Sequence, residues 1–208
     1  MPTLLVVTPH PDDESYAFGG AIALLADRGW RCVVHCASSG ERGKRYDDGP
    51  LDLLAQAREG ELAESCRLLG ALPPVFWRLP DGGLPAAWPS GIDHARQVLR
   101  SAHPDLVLAL GPDGAYGHPD HLAVHGWLRE AWPELRSPRT ALLFAAFPRG
   151  LFLPQYEKCI SMMGRPPHPP AAAIGSDILP LACDIRQAGA RKLGAIAAHR
   201  SQLPAGAP

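Results

Sequence analysis

The chain lacks the features that mark secreted and membrane-spanning proteins. Its five cysteines are odd in number and form no Cys-x-x-Cys pair. Cys32 and Cys36 would lie about 13 Å apart along one strand, too far for a disulfide. No apolar run approaches the roughly 18 residues that span a bilayer, and no basic segment precedes the apolar run at Leu4, which argues against a signal peptide. The expectation is a cytoplasmic protein with reduced thiols.

An excess of charge of one sign is also lacking. The formal net charge is −1, from 20 basic and 21 acidic residues, so electrostatics give no reason to expect binding to nucleic acid or to an anionic membrane. The Gly-x-Gly-x-x-Gly pattern of dinucleotide-binding proteins does not follow the first strand-like run. The hydrophobic content of 46% is that of an ordinary globular protein.

Strand and helix patterns alternate along the chain and predict an α/β fold, a Rossmann-like, mostly parallel sheet with helices on both faces. A length of 208 residues fits one domain over residues 1–208. The interval 164–180, rich in proline and alanine, is interpreted as an ordered surface loop or a partly mobile lid. Strands are predicted at 4–7, 31–37, 75–79, 105–110 and 140–147, and helices at 14–28, 51–69, 93–102, 121–132 and 184–199, the last with Asp184 as its N-cap.

Two short clusters of histidine and aspartate follow predicted strands, at residues 9–14 and 116–121. In an open α/β sheet, ligands bind outside the carboxyl ends of the strands, so we expect the two clusters to meet there. His10, Asp13 and His121 together provide three metal ligands and leave one position for water. Open catalytic zinc sites are built in this way.

Further polar groups in the same clusters predict acid–base chemistry. Asp12 is free to accept the proton of a metal-activated water. His118, as an imidazolium, would stabilise an oxyanion or protonate a leaving amine. Asp120 is expected to hold one nitrogen of His118, and Tyr116 to complete an oxyanion hole. These parts predict a metal-assisted amide hydrolase.

The sequence also resembles the LmbE-like, or PIG-L, family of zinc-dependent N-acetylglucosamine deacetylases. The resemblance extends over nearly the whole chain. It is carried by His10-Pro11-Asp12-Asp13-Glu14, Ser39-Gly40-Glu41-x-Gly43, Arg58-x-x-Glu61-Leu62, Leu69-Gly70, His118-Pro119-Asp120-His121, Lys192-x-x-Ala195 and His199-x-Ser201-Gln202.

The resemblance implies a set of roles and partners. Zinc, or ferrous iron in the cell, would be bound by the three ligands named above, with Asp12 as the base. In the mycothiol-pathway subgroup, the residues that correspond to Glu41 and Arg58 contact the sugar. Asp81 and His199 are further candidates for substrate binding. The substrate would be a small molecule containing N-acetylglucosamine, and relatives form trimers or hexamers, so a homo-oligomer is expected.

Several alternatives stay open from the sequence. The same zinc site would also cleave another N-acyl sugar or the amide of a thiol conjugate, and a non-catalytic binding module is the alternative from another class. His121 and His125 form a His-x-x-x-His spacing. Without the glutamate of His-Glu-x-x-His, His125 is interpreted as a supporting or structural residue. His35, inside a strand, is interpreted as a core histidine.

Overall fold

The sheet of this protein has five strands, all parallel, in the order β3-β2-β1-β4-β5. The computed structural model describes residues 1–135, 139–164, 169–179 and 181–204. The strands are β1 Thr3–Thr8, β2 Arg31–Cys36, β3 Val75–Phe76, β4 Leu106–Leu110 and β5 Ala141–Ala145.

Helices connect the strands and cover the sheet. A π-helical turn at Glu14–Phe18 leads into α1, and single 3-10 turns precede α2 and α7. None of the described helices is long and apolar enough to cross a membrane. The helices are α1 Gly19–Asp27, α2 Leu54–Leu69, α3 Trp88–Ala102, α4 Gly114–Gly117, α5 Pro119–Leu135, α6 Leu153–Met163 and α7 Gly189–Ala198.

Two apolar cores lie on opposite faces of the sheet, and β1 contributes to both. Leu4 and Val6 pack with residues of α1, α2 and α7, whereas Leu5 and Val7 pack with residues of α3 and α5. Every residue of β1 is buried. This explains why β1 appears in the sequence as an unbroken apolar run rather than as an alternating pattern.

The predicted α/β fold is confirmed, with differences at the ends of elements. The helix predicted from residue 93 begins at Trp88, and α6 was not predicted. Of the described residues of α6, only Tyr156 and Cys159 are buried. Asp184 is not the N-cap of α7, because its carboxylate accepts from Arg186 N in the preceding turn.

The interval 164–180 is described only in part, since residues 165–168 and 180 lie outside the described residues. The described remainder holds a 3-10 turn at Ala171–Ala173 and a bridge between Pro148 and Ser176. This part is therefore attached to the end of β5.

The order of the strands creates a crevice beside β1. The chain passes outward from β1 to β2 and β3, then crosses back to β4 on the other side of β1. The connections that leave β1 and β4 therefore run in opposite directions. This is the topological switch point at which α/β sheets bind ligands, and both histidine–aspartate clusters follow these two strands.

Candidate metal centre and active site

The first cluster is fixed directly after β1. The carbonyl of Pro9 accepts hydrogen bonds from Ser38 N at 3.0 Å and Ser38 Oγ at 2.9 Å, which ties this loop to the segment after β2. Asp12 has a backbone φ of 123°, a conformation that is strained for a residue other than glycine. The turn presents His10, Asp12 and Asp13 at the carboxyl edge of the sheet.

The second cluster follows β4 through a tight turn. Gly114, Ala115 and Gly117 have φ values of 57°, 62° and 78°. Asp113 stabilises the turn by accepting from Ala115 N at 3.1 Å, and its carbonyl accepts from Gly117 N at 2.8 Å. Because α5 begins directly afterwards at Pro119, its first turn places His121 next to the first cluster.

Asp13 links the histidines of the two clusters. Its Oδ2 lies 3.4 Å from His10 Nδ1 and 3.6 Å from His121 Nε2. Two ligands of a tetrahedral zinc ion, each bound at 2.0–2.1 Å, lie roughly 3.4 Å apart. Nitrogen atoms of His10, His118 and His121 also lie within 4.8 Å of one another. The cluster thus has the size and the donor types of a divalent-metal site.

The imidazole of His121 supports this interpretation. Its side chain is buried, yet neither Nδ1 nor Nε2 has a hydrogen-bond partner among the described residues. A buried polar group without a partner costs about 1–3 kcal/mol. A metal ion is the natural partner for a neutral imidazole nitrogen in such a position. The residues present therefore fit the metal that the resemblance implies.

The other nitrogen of His10 faces two carboxylates. Its Nε2 lies 3.1 Å from Asp120 Oδ2 and 3.2 Å from Asp81 Oδ1. Asp120 is fully buried and also accepts from Gly82 N at 2.7 Å and from Leu84 N at 3.2 Å. A carboxylate on the distal nitrogen of a metal-binding histidine fixes the ring and raises its basicity.

This arrangement corrects the predicted role of Asp120. Its carboxylate was expected to hold His118, but it contacts His10 instead. His118 is bound by the backbone of Asp120, whose N–H donates to His118 Nδ1 at 3.2 Å. The reason is geometric, since an N–H in the first turn of a helix has no partner within the helix, and the side chain turns toward the loop that follows β3.

Protons and a metal ion compete for the same ligand atoms. Burial lowers the pKa of His10, but Asp120, Asp13 and Asp81 together raise it well above its ordinary value. Burial raises the pKa of Asp13, but His121 and His10 lower it overall to far below the usual range. Burial lowers the pKa of His121 to about 4. Metal binding at these atoms therefore releases a proton.

Asp12 lies beside the ligands, and its carboxylate is partly exposed to solvent. Its side chain is 24% exposed, and Oδ2 lies 3.2 Å from Arg58 Nη2. Burial raises the pKa of Asp12 to about 6, although the positive charge of Arg58 opposes the shift. A base with a pKa near the working pH is effective in proton transfer.

His118 and Tyr116 provide neutral donors at the same place. Burial, followed by the charges of His121 and His10, lowers the pKa of His118 to about 3. The neutral imidazole is therefore favoured over the expected imidazolium. Because Nδ1 accepts from the backbone, its proton lies on Nε2. The ring centroids of Tyr116 and His118 lie 5.8 Å apart. Burial raises the pKa of the Tyr116 phenol well above 10, so its hydroxyl keeps its proton.

The four predicted sugar contacts have different surroundings. Glu41 is exposed, and its Oε1 accepts from Asp81 N at 2.9 Å. Asp81 is buried against His10 and accepts from Arg42 N at 2.8 Å. Sugar contact by Glu41 and by Asp81 stays a prediction. In the structure the carboxylate of Asp81 holds the loop through Arg42 N and lies 3.2 Å from His10 Nε2.

Arg58 and His199 are enclosed by protein groups. The guanidinium of Arg58 donates to the carbonyls of Gly40 at 2.8 Å and Pro11 at 2.6 Å, besides its contact with Asp12. His199 is fully buried, and its Nε2 lies 2.8 Å from Glu14 Oε1. The prediction that His199 binds substrate is therefore wrong, because its ring is fully buried against Glu14. Sugar contact by Arg58 stays a prediction.

The sequence interpretation gave no role to Glu14. It is fully buried at the start of the π-helical turn, where Ser65, His199 and the N–H of Asp12 surround its carboxylate. Two signals in the sequence pointed to it, its charge at the first position of the predicted helix and its place in the motif His10-Pro11-Asp12-Asp13-Glu14. His125 and His35 are structural, as expected. His125 Nδ1 lies 3.1 Å from Leu110 O, and His35 Nδ1 accepts from Trp77 Nε1 at 3.1 Å.

Comparisons with known proteins agree with this geometry. The chain is 28% identical to a 1D-myo-inositol 2-acetamido-2-deoxy-alpha-D-glucopyranoside deacetylase of Acidothermus cellulolyticus, over 99% of this chain and 81% of the relative. It is 34% identical to a protein of the same description from Saccharopolyspora erythraea, over 60% of this chain and 51% of that relative. Against the latter the chain thus spans about half of the relative's length.

Solved structures extend the comparison. N,N'-diacetylchitobiose deacetylase from Pyrococcus horikoshii matches with a TM-score of 0.68 and 28% identity, over 98% of this chain and 71% of that one. The 4-carboxy-2-hydroxymuconate hydratase GalB of Pseudomonas putida matches with a TM-score of 0.65 at 24% identity, over 95% of this chain and 78% of that one. The latter likeness shows the fold alone, so the fold does not by itself decide the reaction.

The family is decided by a match to the sequence model described as PIG-L, GlcNAc-PI de-N-acetylase. The match covers residues 5–132, which is more than half of the chain. It includes both histidine–aspartate clusters, the whole of β4 and all but the first two residues of β1. This chain belongs to the PIG-L family.

Proposed function

We propose that this protein is a metal-dependent N-deacetylase that hydrolyses the acetamide of a small molecule containing N-acetylglucosamine. The observation that carries the proposal is the convergence of His10, Asp13 and His121 beside the solvent-accessible carboxylate of Asp12. Deacetylation of N-acetylated sugars by the similar proteins from A. cellulolyticus and P. horikoshii supports it.

The proposed metal ligands are His10, Asp13 and His121, and the proposed metal is zinc, with ferrous iron as the alternative in the cell. A divalent ion held there would supply Lewis-acid polarisation of the amide carbonyl and would acidify water. The protein groups around it set the remaining chemistry. Asp120 and Asp81 keep the ring of His10 oriented with Nδ1 toward Asp13.

Asp12 carries the proton through the reaction. Its carboxylate accepts a proton from the attacking water as the new carbon–oxygen bond forms and the carbonyl electrons move to oxygen. The Nε2–H of His118 and the hydroxyl of Tyr116 donate hydrogen bonds to this oxyanion. On collapse the carbon–nitrogen bond breaks, and Asp12 returns the proton to the departing nitrogen. The products are acetate and a free amine.

The proposal extends to the state of the protein in the cell. A homo-oligomer of three or six chains is proposed on the family resemblance, as is a single domain over residues 1–208. A cytoplasmic location is supported by the cysteines, since all five are free thiols. Glu41 and Arg58 are the proposed sugar contacts, because both lie next to Asp81 or Asp12 at the edge of the metal cluster.

A substrate panel tests the proposed reaction. Zinc-loaded protein is mixed with N-acetylglucosamine, its inositol glycoside and N,N'-diacetylchitobiose, and free amine and acetate are measured together. N-acetylglycine, an acetamide without a sugar, serves as the control. We expect equal amounts of amine and acetate from at least one sugar and none from the control. Zinc-loaded protein that is inert toward all three sugars would contradict the proposal and direct the search to other N-acyl sugars and thiol conjugates.

A further inference from the structure

The proposed base sits in a strained backbone conformation. Asp12 has φ of 123°, and such conformations persist only where the surroundings hold the residue at several points. The carbonyl of Asp12 accepts from Ser15 N at 3.0 Å, Tyr16 N at 3.2 Å and Ser15 Oγ at 2.8 Å. The side chain is held by Arg58. The amide N–H is the remaining backbone group.

Glu14 holds this amide. Its Oε2 accepts from Asp12 N at 2.9 Å, two residues back along the chain. The other carboxylate oxygen, Oε1, accepts from Ser65 Oγ and lies 2.8 Å from His199 Nε2. Glu14, Ser65 and His199 are all fully buried. A buried carboxylate is costly unless its oxygens are paired, so Ser65 and His199 fix the oxygen that Asp12 does not use.

His199 connects the base to a distant part of the chain. It is 185 residues from Glu14 in sequence and lies at the end of α7. The segment directly after it is anchored on α2, where Ser201 donates to Glu61 from both N and Oγ at 2.7 Å. The geometry of Asp12 therefore depends on the end of α7, which carries His199, and on α2, which carries Ser65 and Arg58.

We propose that Glu14, fixed by His199 and Ser65, is a positioning residue that holds Asp12 in its strained conformation and aims its carboxylate at the reacting water. The proposal rests on the proposed deacetylase function. Glu14 touches neither the substrate nor the metal ligands' donor atoms, and it acts through the backbone of Asp12. Loss of the hydrogen bond from Asp12 N to Glu14 lets Asp12 relax toward an ordinary φ. This relaxation moves the carboxylate of Asp12 away from the metal cluster.

Kinetics of Glu14→Ala provide the first test. A misplacement of the base by about 1 Å costs roughly 100-fold in rate, so we expect kcat to fall by roughly that factor. KM and bound zinc should be unchanged. Glu14→Gln keeps an oxygen that can accept from Asp12 N and should recover most of the loss. If KM rises with kcat unchanged, or if zinc is lost, Glu14 does not act through the base.

Two comparisons separate positioning from general stability. Thr140→Val removes a side-chain hydrogen bond, from Thr140 Oγ1 to Pro104 O at 2.9 Å, just before β5 and away from Glu14, and it should leave kcat unchanged. In an Asp12→Ala background, Glu14→Ala should cause no further loss of kcat, because the residue that it positions is gone. An equal loss in both backgrounds would overturn the proposal. If Glu14→Ala does not fold, His199→Leu, which is close to histidine in volume but cannot donate to Glu14, takes its place in the cycle with the same expected outcomes.

A crystal structure of the same variant separates this proposal from the proposed function. If zinc-loaded wild-type protein deacetylates no sugar, the proposed function fails, but the positioning can still be judged from φ of Asp12. We expect Asp12 to leave the positive-φ region in Glu14→Ala and to keep it in Glu14→Gln. An unchanged φ and an unchanged contact with Arg58 in Glu14→Ala would overturn the proposal.

Discussion

Replacing Asp120 by asparagine should weaken metal binding through a residue that is not itself a proposed ligand. The carboxylate of Asp120 serves three donors with two oxygens. Oδ2 faces His10 Nε2 at 3.1 Å and Gly82 N at 2.7 Å, and Oδ1 faces Leu84 N at 3.2 Å. An asparagine side chain has only one oxygen, so at least one of these donors must lose its acceptor and face an NH2 group.

The contacts of Asp120 indicate how large the loss of zinc affinity should be. The amide oxygen retains two donors if it takes the place of Oδ2, which leaves Leu84 N unpaired at a cost of about 1–3 kcal/mol. His10 then keeps a hydrogen bond but loses the negative charge beside its ring. Loss of such a partner costs roughly 10- to 100-fold in metal affinity. Because Asp81 still provides a carboxylate at 3.2 Å, we expect the lower value, roughly 10-fold.

The assay is a zinc titration against a chromogenic chelator, with thermal unfolding measured on the same samples. Asp113→Asn is the matched control. Asp113 also accepts two backbone amides, from Ala115 at 3.1 Å and Gly175 at 2.9 Å, and the described contacts do not join it to His10. We expect a similar loss of stability in this control, with zinc affinity unchanged.

Two results would contradict this role of Asp120. Unchanged zinc affinity in Asp120→Asn would show that the carboxylate does not tune His10. An equal loss of affinity in Asp113→Asn would show that general loosening of the loops, rather than the charge on His10, is responsible. Adding Asp81→Asn to Asp120→Asn should lower the affinity further, and no additional loss would also contradict the account.

Three further predictions each concern the surroundings of one residue. Asp12→Asn should lower kcat by about 10²- to 10⁴-fold with zinc still bound, and full activity in that variant would remove Asp12 from the mechanism. Gly40→Ala should unfold at lower urea concentration than the wild type, because a Cβ at residue 40 would lie 2.2 Å from Arg58 Nη1. Gly40 also has φ of +67°, and this left-handed conformation alone costs an alanine about 1–2 kcal/mol. Wild-type stability of the variant would show that Arg58 moves aside freely. His35 accepts from Trp77 Nε1, and burial lowers its pKa to about 4, so its neutral form stabilises the fold fully above about pH 6.5 and progressively less as the pH falls toward 4. The contribution of His35 to the free energy of unfolding should therefore be about 2 kcal/mol lower at pH 5 than at pH 7. His35→Gln, which keeps an acceptor but does not titrate, should show a pH dependence smaller by this amount in chemical unfolding at the two pH values.

The meeting of the two clusters could be predicted from the sequence because it depends on local features. Each cluster follows a strand with an unmistakable apolar run, and the carboxyl ends of parallel strands lie at one edge of the sheet. His10, Asp13 and His121 were therefore expected to lie together, as the structure places them. Their role as metal ligands remains a prediction that the zinc titrations test.

Contacts between distant segments could not be predicted in this way. Asp120 contacts His10 rather than His118 because the loop after β3 approaches from a third strand and supplies Gly82 N and Leu84 N. The contact of His199 with Glu14 depends on how α7 packs against α2 and the π-helical turn. No local pattern encodes either arrangement, since each is decided by the packing of elements far apart in sequence.

The most direct test of the central claim is the stoichiometry of acetate release from an N-acetylglucosaminide. Zinc-loaded wild-type protein, metal-free protein and zinc-loaded Asp12→Asn are compared with equal substrate. The proposed mechanism predicts one acetate for each free amine with the zinc-loaded wild type, and almost none with the other two. Equal release by metal-free protein would contradict the proposed metal centre, and equal release by Asp12→Asn would contradict the proposed base.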